Sequence, residues 1–181
     1  MKFTQLDIPG VWLIEPVRYG DSRGYFSEVF KLEEFREATG TDIRFIQDNE
    51  SVSSRGVLRG LHMQSDEFAQ AKLVRVSQGA VFDVAVDLRP GSPTRGRWVG
   101  VELSQENGRQ LFIPRGFAHG FLVLSDMAQF QYKVDNVYAP QSEVSVRYDD
   151  PDLGITWPEV DAPLNLSPKD EKARPLKAIL G

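Results

Sequence analysis

The strongest constraint on the fold of this chain is a period of two in its apolar residues. Across residues 80–88, Phe82, Val84, Val86 and Leu88 fall on one side of an extended chain, and Asp83 and Asp87 fall on the other. Residues 72–76, 97–103, 120–124 and 128–134 also read as short strands. Turn-forming clusters separate them: residues 89–93, residues 105–108, and Ser125 with Asp126. Helical periodicity is confined to residues 31–39, where Leu32, Phe35 and Ala38 share a face and Gly40 supplies a stop. Many short strands with closely spaced turns specify an all-β sandwich or barrel with few helices.

At 181 residues, 41 % apolar and 26 % charged, the chain has the size and balance of one globular domain spanning 1–181. Beyond residue 150 it turns rich in proline, with Pro151, Pro158, Pro163, Pro168 and Pro175. This stretch reads as an irregular C-terminal arm wrapped on the barrel, in which Ser167 and Pro168 have the character of a helix start. A net charge of −5 argues against nucleic acid as partner. The absence of cysteine excludes disulfides and thiolate metal sites. No apolar run is long enough to span a membrane, and the first residues lack an apolar leader, so a cytoplasmic setting is expected.

The chain has two histidines, and both sit in spaced motifs. Gly56 precedes His62 by six residues. Gly108, Pro114, Gly116 and His119 follow the pattern G-x5-P-x-G-x2-H. In this order, on a strand-rich chain, the two stretches resemble the paired motifs of the cupin jelly rolls. Most metal cupins bind their ion through H-x-H, a following Glu and the second-motif His. Here Gln64 replaces the second His, Lys72 stands at the Glu position, and Val123 replaces a motif Asn. An amide is a weak ligand and an ammonium repels a cation, so no metal is expected. A fixed ammonium does instead part of what a metal does for an enolate. The alternation places Lys72 in register with Val74 and Val76, an inward face.

Further stretches narrow the resemblance. Residues 21–28, 47–51, 56–62, 114–120, 132–133 and 138–140, residues 149–155 with Trp157-Pro158, and residues 167–170 are similar to the dTDP-4-dehydrorhamnose 3,5-epimerase family over nearly the whole chain. That resemblance implies a cupin-type jelly-roll barrel, a homodimer and catalysis without metal or cofactor. It implies epimerisation at C3 and C5 of a dTDP-linked 4-keto-6-deoxy sugar, in dTDP-L-rhamnose biosynthesis for cell-wall polysaccharide. His62 matches the proton acceptor, Asp170 the carboxylate paired with it, and Tyr132 the proton donor. Arg59, Lys72 and His119 match residues around the sugar and its developing oxyanion. Arg23, Glu28, Gln47, Asp48, Asn49, Glu143 and Lys169 match contacts along the nucleotide sugar, and Tyr138 resembles an aromatic near the thymine. Residues 134–137 depart from the family's Thr-containing stretch.

The residue types suit that reaction. A C4 ketone acidifies the hydrogens on C3 and C5, and inversion needs a base and an acid on opposite faces of the ring. Histidine, with an ordinary pKa of about 6.5, is a base near neutral pH, and a neutral tyrosine is a donor. The residues alone leave other readings open. Tyr132 shares strand parity with Phe130 and Val134, a pattern that core packing also satisfies. Arg59 and His62 have opposite parity, so both enter one site only if the strand is bulged or bent, which Gly60 permits. A C3-only or C5-only epimerase or a keto-sugar isomerase, a metal-dependent oxidoreductase and a non-catalytic sugar binder are the competing functions.

Overall fold

The alternating segments form antiparallel strands in two facing sheets, in a computed structural model that describes residues 1–180. The first strands are β1 (Lys2–Gln5), β2 (Trp12–Glu15), β3 (Tyr19–Asp21) and β4 (Gly24–Phe26). Helix α1 (Leu32–Thr39) follows, then β5 (Gln47–Ser54), β6 (Leu58–Gln64), β7 (Lys72–Gln78) and β8 (Ala80–Asp87). The remaining strands are β9 (Trp98–Ser104), β10 (Gln110–Ile113), β11 (Phe117–Val123), β12 (Met127–Val134) and β13 (Glu143–Ser145). Short helices α2 (Pro168–Glu171) and α3 (Lys177–Leu180) lie in the C-terminal arm.

One sheet has the order β1-β2-β10-β7-β12-β5, the other β13-β6-β11-β8-β9, and β3–β4 is a separate hairpin. The main core lies between the sheets. Val74, Val76, Leu111, Ile113, Ala128 and Phe130 come from the first, and Val81, Ala85, Leu103, Phe121 and Val123 from the second. The opposite face of β8 is buried as well. Val84, Val86 and Leu88 pack beneath the arm against Val146, Leu153 and Leu176. Both faces of β8 are therefore interior, and Asp83 and Asp87 are fully buried.

Helix α1 runs as its periodicity predicts. Lys31 stands at its N-cap, and Gly40 closes it in the left-handed conformation with φ 67°. Phe35 is buried on the outer face of the six-stranded sheet, edge-on to Phe112 at 5.0 Å. Full burial of such a ring contributes about 1.5–3 kcal/mol.

The arm is tied to the barrel by short parallel bridges, Val57 to Asn165 and Val146 to Arg174. Gly56 permits the first: a Cβ there would stand 2.5 Å from the Pro163 carbonyl oxygen, and its φ is +79°. This approach carries Asn165 to Asp170 to the mouth of the barrel. Among the described residues, no helix is long and apolar enough to cross a membrane.

Candidate active site

A cleft of about 860 Å³ opens between the sheets. The five-stranded sheet contributes Arg59, His62, His119 and Glu143. The six-stranded sheet contributes Gln47, Asn49, Lys72, Phe130 and Tyr132. Tyr138, Lys169 and Asp170 complete the wall. His62 and Tyr132 thus enter from opposing sheets, and both line the cleft.

The shape of β6 decides that Arg59 and His62 share this cleft. His62 pairs with His119, but Arg59 pairs with Phe121, so three steps on β6 face two on β11. The extra residue is a β-bulge at Gly60, φ +123°, and it returns the two side chains to one side. Arg59 is steadied by its Nε, which donates to Ser53 Oγ at 3.0 Å.

Asp170 is positioned by helix capping. Ser167 is the N-cap of α2 and Pro168 its first residue; Ser167 Oγ accepts from Asp170 N at 3.2 Å and donates to Asp170 Oδ2 at 2.7 Å. The other carboxylate oxygen lies 2.5 Å from His62 Nε2. Burial pushes the Asp170 carboxyl up, but the hydrogen bonds from His62 and Ser167 outweigh it and hold its pKa below the ordinary value. An ionised carboxylate only accepts, so Nε2 carries the proton and Nδ1 keeps the free lone pair.

A second imidazole stands beside the first. His119 faces Ala85 on β8 while Phe121 faces Asp83, so Asp83 sits diagonally next to His119 on the same face. The His119 Nε2 to Asp83 Oδ2 distance is 2.9 Å. The sheet therefore presents a row: Asp83, His119, His62, Asp170. Burial lowers the His119 pKa and raises that of Asp83, in each case against the pull of the other. The sequence singled out three members of this row and missed Asp83. The available signal was an acid amid the apolar residues 81–86, a costly choice unless paired.

Lys72 has no hydrogen-bond or ion-pair partner among the described residues, and burial pushes its pKa down to about 8. Asp83 and Glu143 oppose that shift and Lys169 adds to it. Burial raises the Tyr132 pKa above its ordinary value, against Arg59 and Lys169, so the phenol is neutral. Tyr132 also packs against the main core, so it is both a core neighbour and part of the cleft wall.

At the mouth, Lys169 Nζ donates to Glu143 at 2.6 Å and the Tyr138 hydroxyl to the same carboxylate at 3.2 Å. The ring of Tyr138 stays 57 % exposed, open to a stacking partner. The departing segment at 134–137 braces the loop before Lys72. Asp135 accepts from Ala71 N at 2.7 Å, and Asn136 accepts from Gln70 through its carbonyl oxygen at 2.7 Å.

Three sequence candidates lie off the cleft. Asp48 alternates with Gln47 and Asn49, faces the other side of β5 and pairs with Lys133 at 2.8 Å. Arg23, in the β3–β4 turn, pairs with Asp21 at 2.5 Å in solvent. Glu28 lies near Lys31 at 3.4 Å. At the metal positions of the cupin pattern, the Gln64 amide oxygen accepts from Ala139 N at 2.7 Å, and an ammonium occupies the carboxylate's place. Such a donor set does not fit a cation.

The family model for dTDP-4-dehydrorhamnose 3,5-epimerase matches residues 5–178. The chain belongs to the dTDP-4-dehydrorhamnose 3,5-epimerase family. The dTDP-4-dehydrorhamnose 3,5-epimerase of Pseudomonas aeruginosa is 56 % identical over 174 residues, 96 % of this chain and 95 % of that protein. A dTDP-6-deoxy-D-glucose-3,5-epimerase from Legionella pneumophila, solved in complex with dTDP-4-keto-L-rhamnose, is 53 % identical with a TM-score of 0.94. That alignment covers 99 % of this chain and 96 % of the other. A 3'-monoepimerase from Streptomyces bikiniensis, in complex with dTDP-quinovose, is 44 % identical with a TM-score of 0.89, covering 95 % and 86 %. Membership of the 3,5-epimerase family makes the protein an isomerase, and the oxidoreductase and non-catalytic readings fall away.

Proposed function

We propose that the protein inverts C3 and C5 of dTDP-4-dehydro-6-deoxy-D-glucose to give dTDP-4-dehydro-L-rhamnose, with His62 as base and Tyr132 as acid. The observation that carries this assignment is the pairing of a carboxylate-bound imidazole on one sheet with a neutral phenol on the opposing sheet. His62 Nδ1 removes the proton from the carbon beside the ketone. The C–H electron pair becomes a C=C bond to C4 and the carbonyl π pair moves onto the C4 oxygen, giving an enolate. Tyr132 delivers a proton to the opposite face, and exchange with solvent resets both groups. Asp170 stabilises the imidazolium formed at His62. Lys72 and Arg59 are the donors available to the enolate oxygen.

The nucleotide lies toward the mouth in this reading. The thymine stacks on Tyr138, and Gln47, Asn49, Glu143 and Lys169 line its approach. The working unit is a C2 homodimer. It is supported by the β3–β4 hairpin, which exposes Tyr19 and Tyr25 at 59 % and Phe26 at 65 %, an apolar surface that a second copy would cover. Arg23 and Glu28, beside that surface, would then contact substrate in the partner's cleft, and Asp48 remains a candidate contact at its edge.

Turnover in D₂O tests the chemistry. Product NMR is expected to show deuterium at both C3 and C5; deuterium at one carbon alone would make the protein a monoepimerase. His62→Asn is expected to abolish uptake at both positions while the fold is kept, and full exchange in that variant would sink the assigned base.

A further inference from the structure

Asp83 is the one member of the side-chain row that the proposed chemistry leaves without a task. Its neighbours on the same face of β8, Val81 and Ala85, are apolar core residues. Asp83 is nonetheless fully buried, with one oxygen on His119 and the other, Oδ1, without a partner among the described residues. A buried carboxylate that is only half satisfied costs stability.

We propose that Asp83 is a positioning residue of the reaction: it holds the His119 imidazole by Nε2, so that Nδ1, an acceptor, meets a sugar hydroxyl, and it supplies the counter-charge for the Lys72 ammonium. This rests on the assignment of Lys72 to the enolate oxygen and of His119 to the sugar. A carboxylate only accepts, so the proton at their contact sits on Nε2. Among the described residues His119 Nδ1 has no hydrogen-bond partner, and it is not enclosed, which leaves it to the cleft. The ring plane is set by stacking on Phe130, 5.9 Å between centroids at 25°. Asp83, Lys72 and His62 are the charged or titratable groups acting on His119. Lys72 in turn senses Asp83, Glu143 and Lys169. Glu143 is already engaged by Lys169 and Tyr138, whereas Asp83 Oδ1 is uncommitted. Among the neighbours of Lys72, Asp83 is thus the carboxylate that most favours its ammonium form, beside an oxygen that has yet to become charged. Donors oriented before the charge develops need no reorganisation during the reaction.

Asp83→Asn removes the charge and keeps the shape. The expected result is a kcat lowered ~10–100-fold with KM within about a factor of two, and an alkaline limb of kcat moved down by about one pH unit. An unchanged kcat and limb would overturn the proposal. A loss of kcat with the limb in place would assign Asp83 to packing and overturn it equally. Should the variant not fold, the native protein answers. Its two histidines make a two-bond ¹⁵N–¹H spectrum readable, with His62→Asn identifying the signals of His119. An Nε2–H tautomer at His119 is expected, and an Nδ1–H tautomer would refute the arrangement. Deuterium uptake by the native protein checks the epimerase assignment separately: no exchange at C3 or C5 is a failure of that assignment, whatever Asp83 does.

Discussion

At the scale of single residues, the site trades stability for chemistry, and Lys72 shows the sign. Its folded pKa of about 8 lies below the ordinary lysine value, because burial penalises the ammonium. A group whose pKa falls on folding costs stability where it is charged in both states, and the cost disappears as pH rises from about 8 through the unfolded lysine value. Lys72→Met is therefore expected to raise Tm at pH 7 by several degrees, since ~1 kcal/mol shifts a chain of this size by about 2–4 °C. The same variant is expected to lose about 10²–10³-fold in kcat, the usual effect of removing an oxyanion donor. A calorimetric scan and steady-state rates check both halves; a variant less stable than the native chain would contradict the account. The native activity should also fall above about pH 8, as the ammonium is lost. Lys72 was legible in the sequence because motif spacing put a cation at a metal-ligand position. Asp83 was not, because both faces of β8 are interior and alternation gives no sign of which buried face holds a site.

At the scale of elements, local devices carry the side chains to the cleft. The bulge at Gly60 was legible as a requirement of parity, since Arg59 and His62 cannot share one face of a regular strand. The capping of α2 was legible as a helix start, but its second function was not. Ser167 both caps the helix and hydrogen-bonds the carboxylate that serves His62, a link between residues 108 positions apart. Ser167→Ala is expected to cost about 1 kcal/mol of stability, as lost caps do. It should also lower kcat roughly 10-fold, the low end for loss of an orienting partner, while Ser167→Thr restores both. Equal stability loss with an unchanged kcat would confine Ser167 to the cap. The loop after β8 offers a purely structural contrast. Burial pushes the Asp87 carboxyl up, but hydrogen bonds from Arg89, Ser92 and Thr94 outweigh it and hold its pKa well below the ordinary value. A depressed pKa stabilises above the unfolded value of about 3.9 and is lost as pH falls below it. Asp87→Asn is expected to destabilise by roughly 2–3 kcal/mol at pH 7. Denaturant titrations should find that gap closing below pH 4; a gap independent of pH would show that the charge is not what matters.

At the scale of the whole molecule, strand content was legible because alternation is local, and the pairing order was not. β7 lies between β10 and β12, and β6 beside β11, through contacts far apart in sequence that no local period reports. The same separation hides subunit structure, and the β3–β4 hairpin is where it becomes testable. If the hairpin covers a second copy, a cleft built on one protomer's His62 uses the partner's Arg23. A subunit carrying Arg23→Ala and another carrying His62→Asn should each be weak or inactive as homodimers. Mixed in equal amounts and allowed to exchange, half of the dimers are hybrids, and each hybrid holds one cleft with both groups intact. Activity should then rise toward about a quarter of the native value per subunit, as expected for a two-fold interface with one restored site in two. Phe26→Ser, which removes the most exposed apolar side chain of the hairpin, should weaken the dimer in sedimentation and abolish this recovery at low concentration. Mixing without recovery, while light scattering still reports dimers, would place Arg23 in the cleft of its own protomer or outside any cleft, and would leave the hairpin with an assembly role alone.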